Sequence, residues 1–200
     1  MGIYEAILKR RSIREFKNKA VPYSVLEKCV AAARVAPSAA NRQVLEYIVV
    51  DGEALLPRMF DAVSIWGGVV RPQEGWPDGR RPRAYVVVLI NKVLETELKG
   101  DSRNTGYDVG FAVENMTLVA EELGLGSCGI TSFNRGKVAE LFQIPDKYEP
   151  GIMLALGYPD ESPVLETMTG GSTKRWLDDK GQRHVPKREL KDILHKNRFP

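Results

Sequence analysis

The segment KRRSIR, Lys9 to Arg14, sets four cationic side chains within six positions and places a serine hydroxyl among them. Guanidinium forks and a hydroxyl suit a phosphate, because an arginine offers two parallel N–H donors to one anion. The same cations also suit a helix C-terminus, whose unpaired carbonyls attract positive charge. A second group, APSAANRQ from Ala36 to Gln43, combines small residues with the polar side chains of Ser38, Asn41 and Gln43. Such a set allows close backbone approach and supplies hydroxyl and amide partners for a heteroaromatic ligand, or it forms a plain turn. A third, GLGSCGIT from Gly124 to Thr131, leaves backbone N–H groups open to a ligand, or only ends a helix at Gly124. It is not the dinucleotide fingerprint, in which the glycines follow a strand and open a helix; these follow a helix and open a strand.

The other reactive residue types point to no further chemistry. Cys29 and Cys128 form no CxxC pair and His184 and His195 lack ligand spacing, so neither a zinc site nor a disulfide framework is expected. Cys128 reads as a buried structural thiol. Both histidines read as surface residues, and Asp178 and Asp179 as a solvated charge run.

The elements that must position these groups follow from periodicity and punctuation. Ile3, Ala6 and Ile7 recur at helical spacing and predict a short helix running into the basic cluster. Ser24 with Glu27 three residues later predicts a capping box for the next helix, which Pro37 ends. The β-branched runs at 44–50 and 84–90 predict central strands buried on both faces. Between them stand a helix interrupted at Pro57 and a long irregular loop carrying Trp66, Gly67, Gly68 and Trp76. Tyr107 to Leu123 predicts a helix apolar enough to lie deep in the fold. A short strand, a helix stopped by Pro145 and a buried strand over Gly151 to Pro159 follow, before a polar tail that turns weakly helical at its end.

Composition bounds the function classes. The 200 residues, 43% of them hydrophobic, suit a single domain over 1–200, and no internal repeat interrupts it. A net charge of +3, from 29 basic and 26 acidic residues, does not by itself imply nucleic acid. No window approaches the ~20 apolar residues of a membrane span, and MGIYEAILKRRS carries no apolar signal core. A soluble protein of the reducing cytoplasm is expected.

Five blocks in order, RRSIREF, APSAANRQ, LVAEELGLGSCGIT, LALGYPDE and PKRELKDIL, resemble the FMN-dependent nitroreductase superfamily along nearly the whole chain. The resemblance implies an α+β fold, an α/β sandwich whose central, mostly antiparallel β-sheet is flanked by helices. It further implies an intertwined homodimer with two FMN sites at the interface, to which the long apolar helix contributes. Arg10, Arg11 and Ser12 would stand at the ribityl phosphate. Arg14 would stand at the pyrimidine edge, where a cation favours the reduced, anionic ring. Pro37, Ser38, Asn41 and Gln43 match the loop that reaches the flavin or its ribityl chain, often across the dimer interface. Gly129 and Ile130 match the segment whose backbone amide faces N5. Lys187 and Arg188 match a second basic pair near the phosphate, with Lys174 and Arg175 as competitors for that role.

The activity so implied is a ping-pong transfer of hydride from NADH or NADPH to a small electron-poor acceptor, a nitroaromatic, quinone or activated alkene, in a pocket shaped by Trp66 and Trp76. The flavin performs the chemistry, so no catalytic side chain and no metal are expected. Rival readings inside the superfamily are a dehalogenase, a flavin-fragmenting enzyme or an oxidase. A basic nucleic-acid module built on Arg10, Arg11, Arg14, Arg80, Arg81 and Arg83 lacks interleaved aromatics for stacking, and a flavin-free NAD(P)H enzyme lacks the fingerprint.

Overall fold

The run from Ala84 to Asn91 carries no charged or amide side chain before its last residue, so as a strand it can be covered on both faces. In the computed structural model, which describes residues 2–97 and 102–199, it occupies the interior of a sheet. The chain divides into two compact units, 1–160 and 161–200.

In chain order the first unit contains α1 (Ile3–Lys9), α2 (Tyr23–Arg34), β1 (Leu45–Val50), α3 (Leu56–Asp61) and a two-residue hairpin, β2 (Ile65–Trp66) with β3 (Val69–Val70). β4 (Ala84–Asn91), α4 (Lys92–Glu97), α5 (Ser102–Glu122), β5 (Gly126–Ile130), α6 (Arg135–Leu141) and β6 (Tyr148–Gly157) follow. The main sheet is antiparallel throughout, in the order β1-β4-β6-β5. Strand alternation sends Tyr85, Val87, Leu89, Met153 and Ala155 into one core with Phe60, Trp66 and Phe133. The opposite face, Val86, Val88, Leu154 and Leu156, packs with Leu26 of α2 and Met116 of α5. The expected α+β class with a flanked antiparallel sheet is the one observed. Among the described residues no helix is long and apolar enough to cross a membrane.

Several local expectations are corrected. β1 is an edge strand, hydrogen-bonded only to β4 in its sheet, and most of its side chains are half-buried; an apolar run does not reveal how many neighbours it has. Pro57 stands in the first turn of α3 instead of interrupting a helix, because its missing N–H would have no partner there anyway. Ser24 makes no cap: Pro22 is the N-cap of α2, and Ser24 falls inside the first turn. α5 begins five residues before the expected Tyr107. It is buried along one stripe, Asp108, Ala112, Met116 and Ala120, while Tyr107 and Phe111 are exposed.

The second unit is a three-stranded sheet, ordered β7 (Val164–Thr167), β9 (Arg183–Lys187), β8 (Trp176–Leu177), where only a polar tail was expected. The weak final helix reduces to a single turn of 3-10 helix at Leu190–Asp192. His184 is not a plain surface residue. Its ring stacks on Trp176 at 3.9 Å, and Nδ1 lies 3.0 Å from Glu166. The Trp176 indole donates to Glu166 and, with His184 adding to it, holds that carboxyl below its usual range. Asp178 is not merely solvated, since its Oδ1 accepts from the amides of Lys180 and Gln182 and so closes the turn between β8 and β9.

Two glycines decide where the basic segment after α1 lies. A Cβ at Gly126 would come 2.6 Å from Ile13 Cγ1, and one at Gly157 would come 2.8 Å from Phe16 Cδ1. The segment can therefore lie directly on the sheet only while both positions stay bare. Gly126→Ala should push Ile13 off β5 and destabilise the fold by about 1–3 kcal/mol, as overpacking does. A chemical-denaturation midpoint equal to that of the wild type would refute the close approach.

Candidate functional site

α1 ends at Lys9 with Arg10 as its C-cap, so the basic cluster starts where helical carbonyls run out. Arg11 turns back and donates to the carbonyls of Leu8 and Arg10. Burial, then the neighbouring Arg10 charge, lowers its pKa. For Arg11 the helix-end role weighed above is thus physically present. Arg10 instead faces Glu114 of α5, its Nε 3.6 Å from the carboxylate.

From Ser12 the chain is extended and pairs with the sheet. Ser12 bridges Ser127 in parallel, and the Ile13 amide donates to the Ser127 carbonyl at 2.9 Å. Two residues further along each strand lie Arg14 and Gly129. Gly129 is exposed while its neighbour Ile130 is buried, so the strand shows bare backbone at that point. Ser12 and Arg14 are half-buried, and the Arg14 guanidinium donates to the Ser12 carbonyl at 3.1 Å.

The irregular loop folds over this segment. Trp66 Nε1 donates to the Arg14 carbonyl at 3.1 Å, the Phe16 amide donates to the Arg80 carbonyl at 3.1 Å, and Arg80 pairs with Glu15 at 2.7 Å. Gly67, at φ +62°, fits between Trp76 and Arg14: a Cβ there would come 3.3 Å from the indole and 3.4 Å from Arg14 Cδ. Trp76 stands edge-on to Trp66 with centroids 6.4 Å apart. The expectation that Trp66 lines a pocket is corrected, because it is 2% exposed and packs among Phe16, Phe60 and Trp76 in the core. Trp76 is half-buried and keeps an accessible flank.

The second group is held differently. Ala40, Asn41 and Gln43 all have positive φ, at 53°, 54° and 51°. Non-glycine residues in that region are strained by about 1–3 kcal/mol each, and such strain clusters at functional sites. The side chains of Asn41 and Gln43 are exposed and bonded to each other, Gln43 Nε2 donating to Asn41 Oδ1 at 3.1 Å. Below them Asp108, 3% exposed on α5, accepts from the Ser38 hydroxyl at 2.9 Å and from the Ala39 amide at 3.0 Å. Pro37 and Ser38 border a pocket of about 140 Å³ that also touches Asp108 and Tyr47.

Sequence reasoning missed Asp108 and Arg42. The signal for Asp108 was present: a lone acid in the buried stripe Asp108, Ala112, Met116 must find donors, since burying it unpaired is costly. Arg42 is 8% exposed and its Nε donates to the Ala39 carbonyl, while Nη1 and Nη2 meet no hydrogen-bond partner among the described residues. Nothing in the sequence marks it as buried.

The structure thus brings Ser12 and Arg14 alongside Gly129 of β5, with Trp76 next to Gly67 and Arg14, and links Asn41 and Gln43 through Ser38 to Asp108. Lys187 and Arg188 belong to the second unit, Lys187 exposed at the end of β9 and Arg188 donating to the Asp192 carbonyl; Lys174 and Arg175 are exposed in the same unit. Neither cysteine is set up as a nucleophile, for both are buried and burial pushes the Cys29 thiol up to about 11.

The model of the Nitroreductase family matches residues 7–158. A protein of Methanothermobacter thermautotrophicus, named for NADH dehydrogenase or NAD(P)H nitroreductase activity, is 30% identical over 82% of this chain and 80% of its own. An iodotyrosine deiodinase of Haliscomenobacter hydrossis is 24% identical over 81% of each. Among solved structures, an FMN-dependent nitroreductase of Clostridium difficile superposes with a TM-score of 0.67 at 26% identity, covering 97% of this chain and 98% of its own.

Trp66→Phe keeps the ring in the core and deletes the only donor it offers to Arg14. A loss of about 1–2 kcal/mol in denaturant unfolding is expected, the scale of one hydrogen bond lost in a partly buried setting. Unchanged stability would mean that the loop is not tied to the basic segment through this bond.

Proposed function

The chain belongs to the nitroreductase family, and from that premise we propose that it reduces small electron-poor acceptors, nitroaromatics, quinones or activated alkenes, by a ping-pong mechanism. It is an FMN-dependent NAD(P)H oxidoreductase, the class to which its FMN-dependent and NAD(P)H-named relatives belong. The observation that carries the reading is the cationic run laid in parallel beside β5, with Ser12 bridged to Ser127 and the exposed backbone of Gly129 two residues on.

The residues fit that cofactor. Arg10 and Ser12 provide a cation and a hydroxyl for a phosphate that carries nearly two negative charges. Arg14 provides a fixed cation for the pyrimidine edge, its backbone held by Trp66 and its side chain flanked by Gly67 and Trp76. The open backbone at Gly129 and Ile130 suits a ring lying close to the strand. When bound, the flavin would supply the redox chemistry, hydride transfer between NAD(P)H and the acceptor.

The protein's own part is to grip, orient and exclude water. Arg14 biases the ring's potential, Trp76 offers an aromatic wall to the acceptor, and the strained amides of Asn41 and Gln43 supply hydrogen bonds. Arg10 is fixed at Glu114 and Ser38 at Asp108, six residues apart on α5 and therefore on faces roughly 120° apart. One chain thus offers the two halves of the site in different directions, which supports a homodimer in which each cofactor takes the cationic run of one copy and the Ser38 loop of the other. The exposed Tyr107 and Phe111 supply apolar surface for that pairing.

The visible spectrum of the purified protein, followed during anaerobic NADH and NADPH additions, tests this reading. A two-banded flavin spectrum that bleaches is expected, and the faster nucleotide is the donor. Arg14→Ala should lower flavin retention and slow bleaching by about tenfold, roughly one charge-assisted hydrogen bond. A protein that stays colourless with added FMN would remove the assignment. Turnover of iodotyrosine faster than of nitroaromatics or quinones would move it to the deiodinase branch.

A further inference from the structure

The buried carboxylate of Asp108 has no part in the chemistry described so far, yet both of its oxygens accept from one loop. Oδ2 accepts the Ser38 hydroxyl and Oδ1 the Ala39 amide. Ser38 Oγ in turn accepts the amide of Gln43 at 3.0 Å, five residues on. The proton chain therefore has a fixed direction, Gln43 N–H to Ser38 Oγ–H to Asp108. Ala39 is held from both sides, its amide by Asp108 and its carbonyl by Arg42 Nε. These bonds bracket the three left-handed residues Ala40, Asn41 and Gln43, whose strain must be offset by the surroundings if it is to persist.

We propose that Asp108 is a positioning residue for the cofactor: acting through Ser38 and Ala39, it locks the left-handed residues on either side of Arg42 so that Asn41 and Gln43 present preformed amides to the flavin. The inference rests on the FMN reading above and adds a residue to it. In this role Asp108 acts through the loop, holding the Ser38 hydroxyl and the Ala39 amide from α5. Its two side-chain oxygens each face one donor, Oδ2 the Ser38 hydroxyl and Oδ1 the Ala39 amide, and a hydroxyl that donates to Asp108 turns its lone pairs to the Gln43 amide. An asparagine has the same shape but replaces one of those oxygens with an NH2 donor: turned towards Ala39 it opposes another donor, and turned towards Ser38 it reverses the bond that the Ser38 hydroxyl makes.

FMN binding to the flavin-depleted protein, read by quenching of flavin fluorescence, tests the proposal in Asp108→Asn, Ser38→Ala and the double variant, with the visible spectrum of the bound flavin recorded for each. Asp108→Asn is expected to weaken binding by about 10-fold or more, the scale of a lost bond to a charged group. It should also alter the bound spectrum, which a simple loss of stability leaves unchanged. The double variant should be no worse than the weaker single variant, because both break one relay. Wild-type-like affinity in Asp108→Asn, or losses that multiply in the double variant, would overturn the role of Asp108 while leaving the FMN reading intact. If Asp108→Asn does not fold, Ser38→Ala decides alone, and affinity equal to the wild type overturns the relay. A wild-type protein that binds no FMN ends both.

Discussion

The contact between a bare sheet and an extended segment controls the rest of the molecule. Ile13 and Phe16 sit where the Cβ atoms of residues 126 and 157 would otherwise be. That approach converts a basic run, which could have solvated a helix end, into a strand-like arm beside β5. Once Ser12 is paired with Ser127, the extended chain turns Ile13 into the core and leaves its neighbours Ser12 and Arg14 on the other side, while Phe16 is brought back into the same core further along. Ile13 and Phe16 are buried, and Ser12 and Arg14 are half-buried at the edge of the site. Sheet, arm and cationic array are one construction, with glycine as its condition.

The two halves of the site use different physics. The arm is held by backbone pairing and hydrophobic burial, which tolerate no intrusion but impose little strain. The Ser38 loop is held by polar bonds to buried Asp108 and by Arg42, and it carries left-handed residues that need such bonds. Strain and a fully buried acid thus coincide in one loop, whereas the arm has no left-handed residue and its cations are only half-buried.

Much of the arrangement was readable before any coordinates, for identifiable reasons. β4 and β6 were legible as apolar runs of strand length, β5 as the turn out of a glycine-ended helix, and α6 as an apolar period stopped by Pro145. The basic run, the Ser38 loop and Gly129 were legible as chemistry, and their order identified the family. Topology was not legible: β1 and β4 are similar apolar runs, and only pairing makes one an edge. Ser24 and Glu27 formed a capping pattern whose register was taken by Pro22, since a local motif does not know where the helix starts. The second unit escaped because its strands are two to five residues long and its order depends on His184, Trp176, Glu166 and Asp178 finding one another across the sequence. Asp108 was hidden by its setting, an acid inside a helix read for its apolar face.

The Trp66 indole and the Arg80 carbonyl tie the irregular loop to the backbone of Arg14 and Phe16, the segment proposed to hold the cofactor. The loop cannot lift as an independent flap, because lifting frees the backbone of Arg14 and Phe16. Access for bulky molecules and the firmness of the cationic grip therefore rise and fall on one clock. The Phe16 amide is its natural reporter, since that proton exchanges with solvent deuterium only when the Arg80 carbonyl lets it go.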